Sequence, residues 1–412
     1  MIASLANGTS RIKNFSTSAD CAETLSCLQQ LGVEIERQNS DLLIHGAGPE
    51  GLRVPSEPLD CGNSGTTMRL LAGILAGQNF SATLTGDESL CSRPMQRIIE
   101  PLVMMGANVS SDDGRAPLVI RGRKPLKTLS YELLVASAQV KSCILFAGLS
   151  ANGRTQVTED EITRDHTERL LQLFGVPIVA GSGDREGSRV VAIDGPASFE
   201  THDVSIPGDI SSAAYFFAAA ALLADSSLEI RDVGINPTRV LFLKQMRSLG
   251  FDVTIADERT ECNEPTGTVR VHGLHSRPSS DYESLLTLRS SLIPQLIDEL
   301  PLLAVVGSQI EGGIEIRDAA ELRVKESDRI AATVQGLRAM GAEVEEFEDG
   351  LRVGGPAQLH GARIDARGDH RLAMTFTVAG FIAEGETAIE DAECVAVSFP
   401  EFFDLLGSVV ER

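Results

Sequence analysis

Three observations predict an α/β protein with its helices inside: a sixfold internal repeat, segments apolar on nearly every side, and short β-branched runs between them. A small-Gly-x-Thr-x-Ile/Val string is followed 22–29 residues later by Leu-Gly-x-x-Val, six times over 412 residues. The first string stands out at Asn7-Gly8-Thr9-Ser10-Arg11-Ile12, Asn152-Gly153-Arg154-Thr155-Gln156-Val157 and Glu384-Gly385-Glu386-Thr387-Ala388-Ile389, with looser forms near Gly77, Ser226 and Gly312. The second falls at Gly32, Gly106, Gly175, Gly250, Gly341 and Gly407, each after a large apolar residue. A glycine so placed stops a helix in the left-handed conformation and releases the chain into a strand. Repetition on this scale means a repeat architecture.

Along the chain, two kinds of helix alternate. Ala22 to Leu31 is amphipathic, whereas Leu70 to Ala76 is apolar all round and so belongs inside a domain. Arg97 to Met105, Glu168 to Phe174, Val240 to Leu249 and Arg329 to Met340 repeat the first kind; each ends at a repeat glycine. Cys143 to Leu149, Ser211 to Ala224 and Leu372 to Ala379 repeat the second. Between them lie strands such as Leu118-Val119-Ile120, Val190-Val191-Ala192-Ile193 and Thr268-Val269-Arg270-Val271. One unit is therefore strand, buried helix, strand, surface helix, strand pair (βαβαββ). Three units make a domain, with the polar stretch from Glu200 to Pro207 dividing residues 1–206 from 207–412.

The buried helices open on polar residues. The openings are Gly62-Asn63-Ser64-Gly65-Thr66, Ser137-Ala138-Gln139, Gly208-Asp209-Ile210-Ser211-Ser212, Ile297-Asp298-Glu299 and Gly368-Asp369-His370-Arg371. Only the first copy lacks one: Met1 to Ala6 reads as the tail of such a helix, its start and preceding strand missing. Parallel buried helices would aim their amino termini, each carrying unsatisfied N–H groups and partial positive charge, into one cleft between the domains. That is an anion trap.

Charge sharpens the point. A net charge of -22 argues against nucleic acid as a partner, so an anionic substrate needs locally concentrated cations. Arg69, Arg93 and Arg371 stand beside helix starts, and Arg323-Val324-Lys325-Glu326-Ser327-Asp328-Arg329 concentrates three more. Lys325 and Arg329 are expected on one helix face, where they repel unless an anion sits between them; a solvated charge run is the plainer reading. Arg371 faces the positive end of its own helix, which calls for a phosphate or carboxylate partner. Asn63, Ser137 and Asp209 are placed to cap their helices, and simple capping is the plainer role of Asp209. Asp298 serves either the helix dipole or, beside arginines, as a general base. No run is long and apolar enough to span a bilayer. Seven cysteines without a Cys-x-x-Cys pair read as free thiols of a cytoplasmic protein.

Several strings together resemble the 5-enolpyruvylshikimate-3-phosphate (EPSP) synthase family across essentially the whole chain. They are Gly62-Asn63-Ser64-Gly65-Thr66-Thr67-Met68-Arg69, Leu84-Thr85-Gly86-Asp87-Glu88-Ser89-Leu90-Cys91-Ser92-Arg93-Pro94-Met95 and Ser137-Ala138-Gln139-Val140-Lys141-Ser142. To these add Thr163-Arg164-Asp165-His166-Thr167-Glu168, Leu322-Arg323-Val324-Lys325-Glu326-Ser327-Asp328-Arg329, Gly368-Asp369-His370-Arg371-Leu372-Ala373-Met374 and Ser398-Phe399-Pro400. The resemblance implies two inside-out α/β domains and transfer of the enolpyruvyl group of phosphoenolpyruvate to shikimate 3-phosphate. It places shikimate 3-phosphate on Ser137, Gln139, Arg164, Asp298 and Lys325. Phosphoenolpyruvate falls to the Gly65 backbone, Arg93, Gln139, Arg329 and Arg371. Asp298 becomes the base for the 5-hydroxyl and Glu326 the carrier of the methylene proton. It also implies a monomer with no metal or organic cofactor and no membrane partner.

Two departures accompany the resemblance. The family's opening Pro-Gly-x-Lys-Ser string is absent, and its lysine, which contacts both substrates, would precede Met1; the chain as written is expected to have little or no activity. Val397 stands where one branch of the family has lysine, and the Gln139-Val140-Lys141-Ser142 and Arg164-Asp165-His166 strings fit the branch with small uncharged residues there. A rival on the same fold, UDP-N-acetylglucosamine enolpyruvyl transferase, uses a loop cysteine several residues before an Arg-Pro pair. Here Cys91 is only two residues before Arg93-Pro94. A truncated, inactive homologue is the other open reading.

Overall fold

A computed structural model describes residues 1–38, 40–185, 187–273 and 285–410. It divides into two compact units: Met1–Ile206 with Glu261–Asn263, and Pro207–Thr260 with Glu264–Arg412. Each has its own apolar core.

Repeat glycines do what the sequence asks of them in five copies. Gly32, Gly106, Gly175, Gly250 and Gly341 have φ between +82° and +101° and follow the surface helices Ala19–Gln30, Gln96–Met104, His166–Leu173, Leu241–Ser248 and Arg329–Ala339. The sixth is different. Gly407 lies within the helix Phe402–Val409, because no strand follows it among the described residues and nothing requires the helix to stop there.

In the amino-terminal unit each copy builds a four-stranded sheet. The second copy is typical: Leu59–Asp60 pairs parallel with Ser81–Thr85, which pairs antiparallel with Arg115–Arg121, which pairs antiparallel with Asn108–Asp112. The parallel pair is joined by the buried helix Gly65–Ala76, as a crossover between parallel strands requires. The third copy repeats this, its buried helix Ala138–Gly148 lying between Ser130–Glu132 and Gly153–Glu159. Met1 to Ala6 contribute a four-residue buried helix, Ile2–Leu5. The parallel partner of the following strand, Asn7–Lys13, is Val204–Ser205 from the far end of the same unit.

The two long buried helices of this unit touch backbone to backbone. A Cβ built on Gly73 would lie 2.2 Å from the Cys143 carbonyl oxygen, so only glycine permits the approach. This close crossing carries the first turns of both helices to one place.

The carboxy-terminal unit buries Ile210–Leu222, Leu300–Gly307 and His370–Ile382 in one core. Its sheets are less regular: among the described residues, three strands in the fourth copy, four in the fifth, two in the sixth. Among the described residues no single helix is long and apolar enough to cross a membrane.

Candidate active site

Polar and charged side chains gather at helix starts in both units. In the amino-terminal unit, Ser64 rather than Asn63 caps the Gly65 helix, its side chain accepting from Thr67 N at 3.2 Å. Asn63 is diverted by a stronger partner: its Oδ1 accepts from Arg93 Nη2 at 2.6 Å, and its carbonyl accepts from Arg93 Nη1 at 3.3 Å. Asp87 holds the other end of Asn63 at 2.7 Å while capping the short helix Glu88–Ser92. Arg93, 6% exposed, is thereby aimed at the Gly65 turn, where a Cβ on Gly65 would lie 3.5 Å from its Nη1. Ser137 caps its helix as the sequence indicates, accepting from Val140 N at 3.4 Å. Gln139 joins the two turns: its Oε1 accepts from Arg69 Nη1 and its Nε2 donates to Thr66 Oγ1, both at 2.7 Å. Gly65, Arg93, Gln139 and Ser137 thus form one cationic, N–H-rich cradle. Arg164 lies on the loop after Gly153–Glu159, half-buried.

The carboxy-terminal unit gathers three helix starts. Ser211 Oγ donates to Glu299 Oε1, tying the first to the second. Arg371, in the first turn of the third, reaches Asp298: its Nη2 lies 3.5 Å from Oδ2 and its Nη1 donates to the Asp298 carbonyl at 3.4 Å. A carboxylate is therefore the partner that this unfavourably placed arginine demanded. Asp209 caps, accepting from Ser212 N at 2.8 Å, and pairs with Arg239 at 3.2 Å. Its plainer role holds.

Arg329 is the centre of this group. It is 1% exposed, so a solvated charge run is ruled out for it. Its Nε donates to Asp369 Oδ2 at 2.8 Å, its Nη2 reaches Glu326 Oε2 at 2.5 Å, and its Nη1 lies 3.6 Å from Asp298 Oδ1. Burial opposes ionisation of Asp369, but Arg329 outweighs it and holds the carboxyl below its usual range. Burial likewise lowers the Lys325 pKa, opposed chiefly by Asp298. The expected Lys325/Arg329 helix face does not exist. Asp328 caps a helix that begins only at Arg329, and Lys325 is extended. Arg323 is used structurally, bonded to Asp328, Glu346 and the carbonyls of Phe347 and Glu348.

The sequence left several holding residues unassigned: Asn63 behind Arg93, Asp369 behind Arg329, and Arg69 with Thr66 around Gln139. Asp369 carries the one readable signal, an acid between two arginines that lie 42 residues apart in the chain. His370, also unassigned, is buried, and its Nδ1 has no hydrogen-bond partner. Burial, then Arg371, pushes its pKa from 6.5 down to about 4. Between these values the unfolded chain binds a proton that the folded one refuses, so stability falls with pH through that window, by about 3 kcal/mol. Replacing the ring by His370→Asn should flatten the urea-unfolding free energy between pH 6.5 and 4.5 relative to wild type; parallel pH profiles would show that the ring titrates normally.

Cys91 sits on the short helix Glu88–Ser92 with its thiol donating to the Gly86 carbonyl at 3.3 Å. It is part of a helix turn, not an acid on an open loop.

Repeated α/β units with buried helices, and arginines gathered at several of their amino termini, give a fold shared with solved enolpyruvyl transferases. The solved enolpyruvyl transferase NikO from Streptomyces tendae shares this fold, at a TM-score of 0.76 and 19% identity over 99% of this chain and 90% of that one. Nearer likenesses narrow the class. The profile of the family EPSP synthase (3-phosphoshikimate 1-carboxyvinyltransferase) matches residues 1–406, and the chain belongs to that family. A 3-phosphoshikimate 1-carboxyvinyltransferase of Koribacter versatilis is 50% identical over 415 residues, spanning 100% of this chain and 93% of its own. That of Salinibacter ruber is 48% identical over 99% of this chain and 93% of its own. The solved EPSP synthase from Acinetobacter baumannii superposes with a TM-score of 0.84 at 38% identity, covering 99% of this chain and 91% of that one. These likenesses do not favour the UDP-N-acetylglucosamine enzyme.

Proposed function

We propose that the chain transfers the enolpyruvyl group of phosphoenolpyruvate to the 5-hydroxyl of shikimate 3-phosphate, releasing phosphate. The single observation that supports the residue roles best is the charge arrangement in the carboxy-terminal unit: a carboxylate, Asp298, facing Arg329 and Arg371 at 3.6 and 3.5 Å.

Phosphoenolpyruvate brings a phosphate and a carboxylate, and Arg93, Arg329, Arg371, Gln139 and the Gly65 backbone N–H bind them. Shikimate 3-phosphate takes Ser137, Gln139, Arg164, Asp298 and Lys325. Once anions of the substrate claim Arg329 and Arg371, less positive charge bears on Asp298 and it becomes a stronger base. Asp298 then accepts the 5-hydroxyl proton as that oxygen attacks C2 of the enolpyruvyl group. Glu326 supplies a proton to C3, giving a tetrahedral intermediate whose new methyl group holds it. Return of a C3 proton to Glu326 re-forms the double bond as the C2–O bond to phosphate breaks. Arginines and helix dipoles stabilise the charge that develops. We further place the protein in the cytoplasm as a monomer: its seven cysteines are all free thiols, and each unit closes its own core.

Given both substrates, the enzyme should release inorganic phosphate at a rate that depends on shikimate 3-phosphate. Release that depends instead on UDP-N-acetylglucosamine would overturn the proposal. Arg93→Ala and Arg371→Ala should each cost about 1.5–3 kcal/mol in kcat/KM for phosphoenolpyruvate, the worth of one charge-assisted bond. Unchanged phosphoenolpyruvate kinetics in either variant would remove that residue from the site.

A further inference from the structure

The amino-terminal unit buries a second charged cluster that the chemistry above does not use. Lys141, Glu159 and Glu168 are almost wholly inaccessible, at 0%, 0% and 2% exposure. Lys141 Nζ donates to both oxygens of Glu159 at 3.1 Å and lies 2.8 Å from Glu168 Oε1. Ions in such a place are costly, and apolar residues of similar volume usually serve stability as well or better. Two carboxylates for one cation is more costly still. Burial raises the Glu168 pKa despite Lys141, so this carboxyl holds a proton more readily than an exposed one.

The cluster joins three segments at one end of the unit. Lys141 is in the first turn of Ala138–Gly148, four residues after the Ser137 cap and two after Gln139. Glu159 ends the strand Gly153–Glu159, and its Oε2 also accepts from Thr163 N at 3.1 Å and Thr163 Oγ1 at 2.6 Å. Glu168 is in the first turn of His166–Leu173, where Thr167 Oγ1 meets Ser142 Oγ at 2.7 Å. Arg164 follows Thr163 directly and lies two residues before this helix. It is therefore bracketed on both sides by groups anchored to the turn that carries Ser137 and Gln139.

We infer that Lys141, Glu159, Glu168 and Thr163 are positioning residues that hold Arg164 in register with Ser137 and Gln139, so that the three grip the phosphorylated acceptor together. The inference rests on the reading of Arg164, Ser137 and Gln139 as the shikimate 3-phosphate site. A planar guanidinium meets a phosphate through two parallel bonds, so a loop free to shift wastes its binding. A buried ion network resists that shift because each member loses its partners when one segment moves.

Steady-state kinetics with each substrate varied in turn provide the test. Thr163→Val removes one hydroxyl at constant shape, and the triple variant Lys141→Met/Glu159→Gln/Glu168→Gln removes the charges without leaving a lone buried ion. Both should raise KM for shikimate 3-phosphate about tenfold or more while leaving KM for phosphoenolpyruvate within about twofold, and Thr163→Ser should restore the wild-type value. A role in stability alone would lower the melting temperature without separating the two constants, and that result overturns the inference. So does a wild-type shikimate 3-phosphate KM in folded Thr163→Val or in the folded triple variant. Arg164→Ala run alongside separates the two levels: if it raises that KM while the clamp variants do not, only the clamp fails. If Arg164→Ala leaves it unchanged, the site assignment fails and takes the clamp with it.

Discussion

Asp298→Asn will bind shikimate 3-phosphate with little loss but turn over at least about a hundredfold more slowly, since a general base contributes about 10²–10⁴. The amide keeps the size of the carboxylate, its one oxygen can still accept from an arginine, and the backbone carbonyl still accepts from Arg371, so the arrangement should largely survive. It cannot take a proton. The rival role, compensation of the Leu300–Gly307 dipole, gives a different signature: an amide there costs a few tenths of a kcal/mol of stability and leaves turnover intact. The structure already weakens that rival, because Asp298 lies two residues before the helix and faces Arg371 and Arg329. Single-turnover rates and acceptor affinity measured on the same preparation decide it. Near-normal turnover in the variant would return Asp298 to the dipole.

Arg329→Met should be the most damaging single change to folding in the site, costing about 3–5 kcal/mol, because removal of one partner leaves buried charge uncompensated. Asp369 is fully buried and would lose both its bonds from Arg329, at 2.8 and 3.2 Å. Glu326 would lose its close partner in the same step. Adding Asp369→Asn should recover part of the stability, since an amide needs no counter-charge, yet phosphoenolpyruvate use should stay low in the double variant. Urea unfolding of both variants tests this. A single variant as stable as wild type would mean that Arg329 does not neutralise these acids.

Much of the fold was legible because the repeat leaves marks that local physics enforces. A left-handed residue after a helix selects glycine, so Gly32, Gly106, Gly175, Gly250 and Gly341 could be read directly. Gly407 shows the limit: the same letters stand inside a helix, because a glycine permits a stop but does not compel one. Helix caps were legible to within one residue. Asn63 and Ser64 can both cap, and what decides between them is Arg93, thirty positions away in sequence, pulling on Asn63. The Lys325 error has a similar cause: the spacing suits a helix face, but Asp328 caps and delays the start. The site arginines stood out by their positions beside helix starts, whereas the acids that hold them did not. An Asp at a helix start reads as a cap whether or not it also clamps an arginine from another helix, as Asp369 does. Lys141 was hidden for a different reason, since its two partners, Glu159 and Glu168, are assembled only by the third unit's folding.

On this mechanism the acids and arginines at these helix starts drive addition followed by elimination, with a C3 proton gained and then lost. Turnover in D₂O tests this most directly, with the vinylic protons of the enolpyruvyl ether followed by proton NMR. Deuterium should enter the methylene position of the product, because the intermediate's methyl group receives a solvent-derived deuteron through Glu326 and can lose either isotope. A product formed at full rate with no deuterium at that carbon would contradict the account.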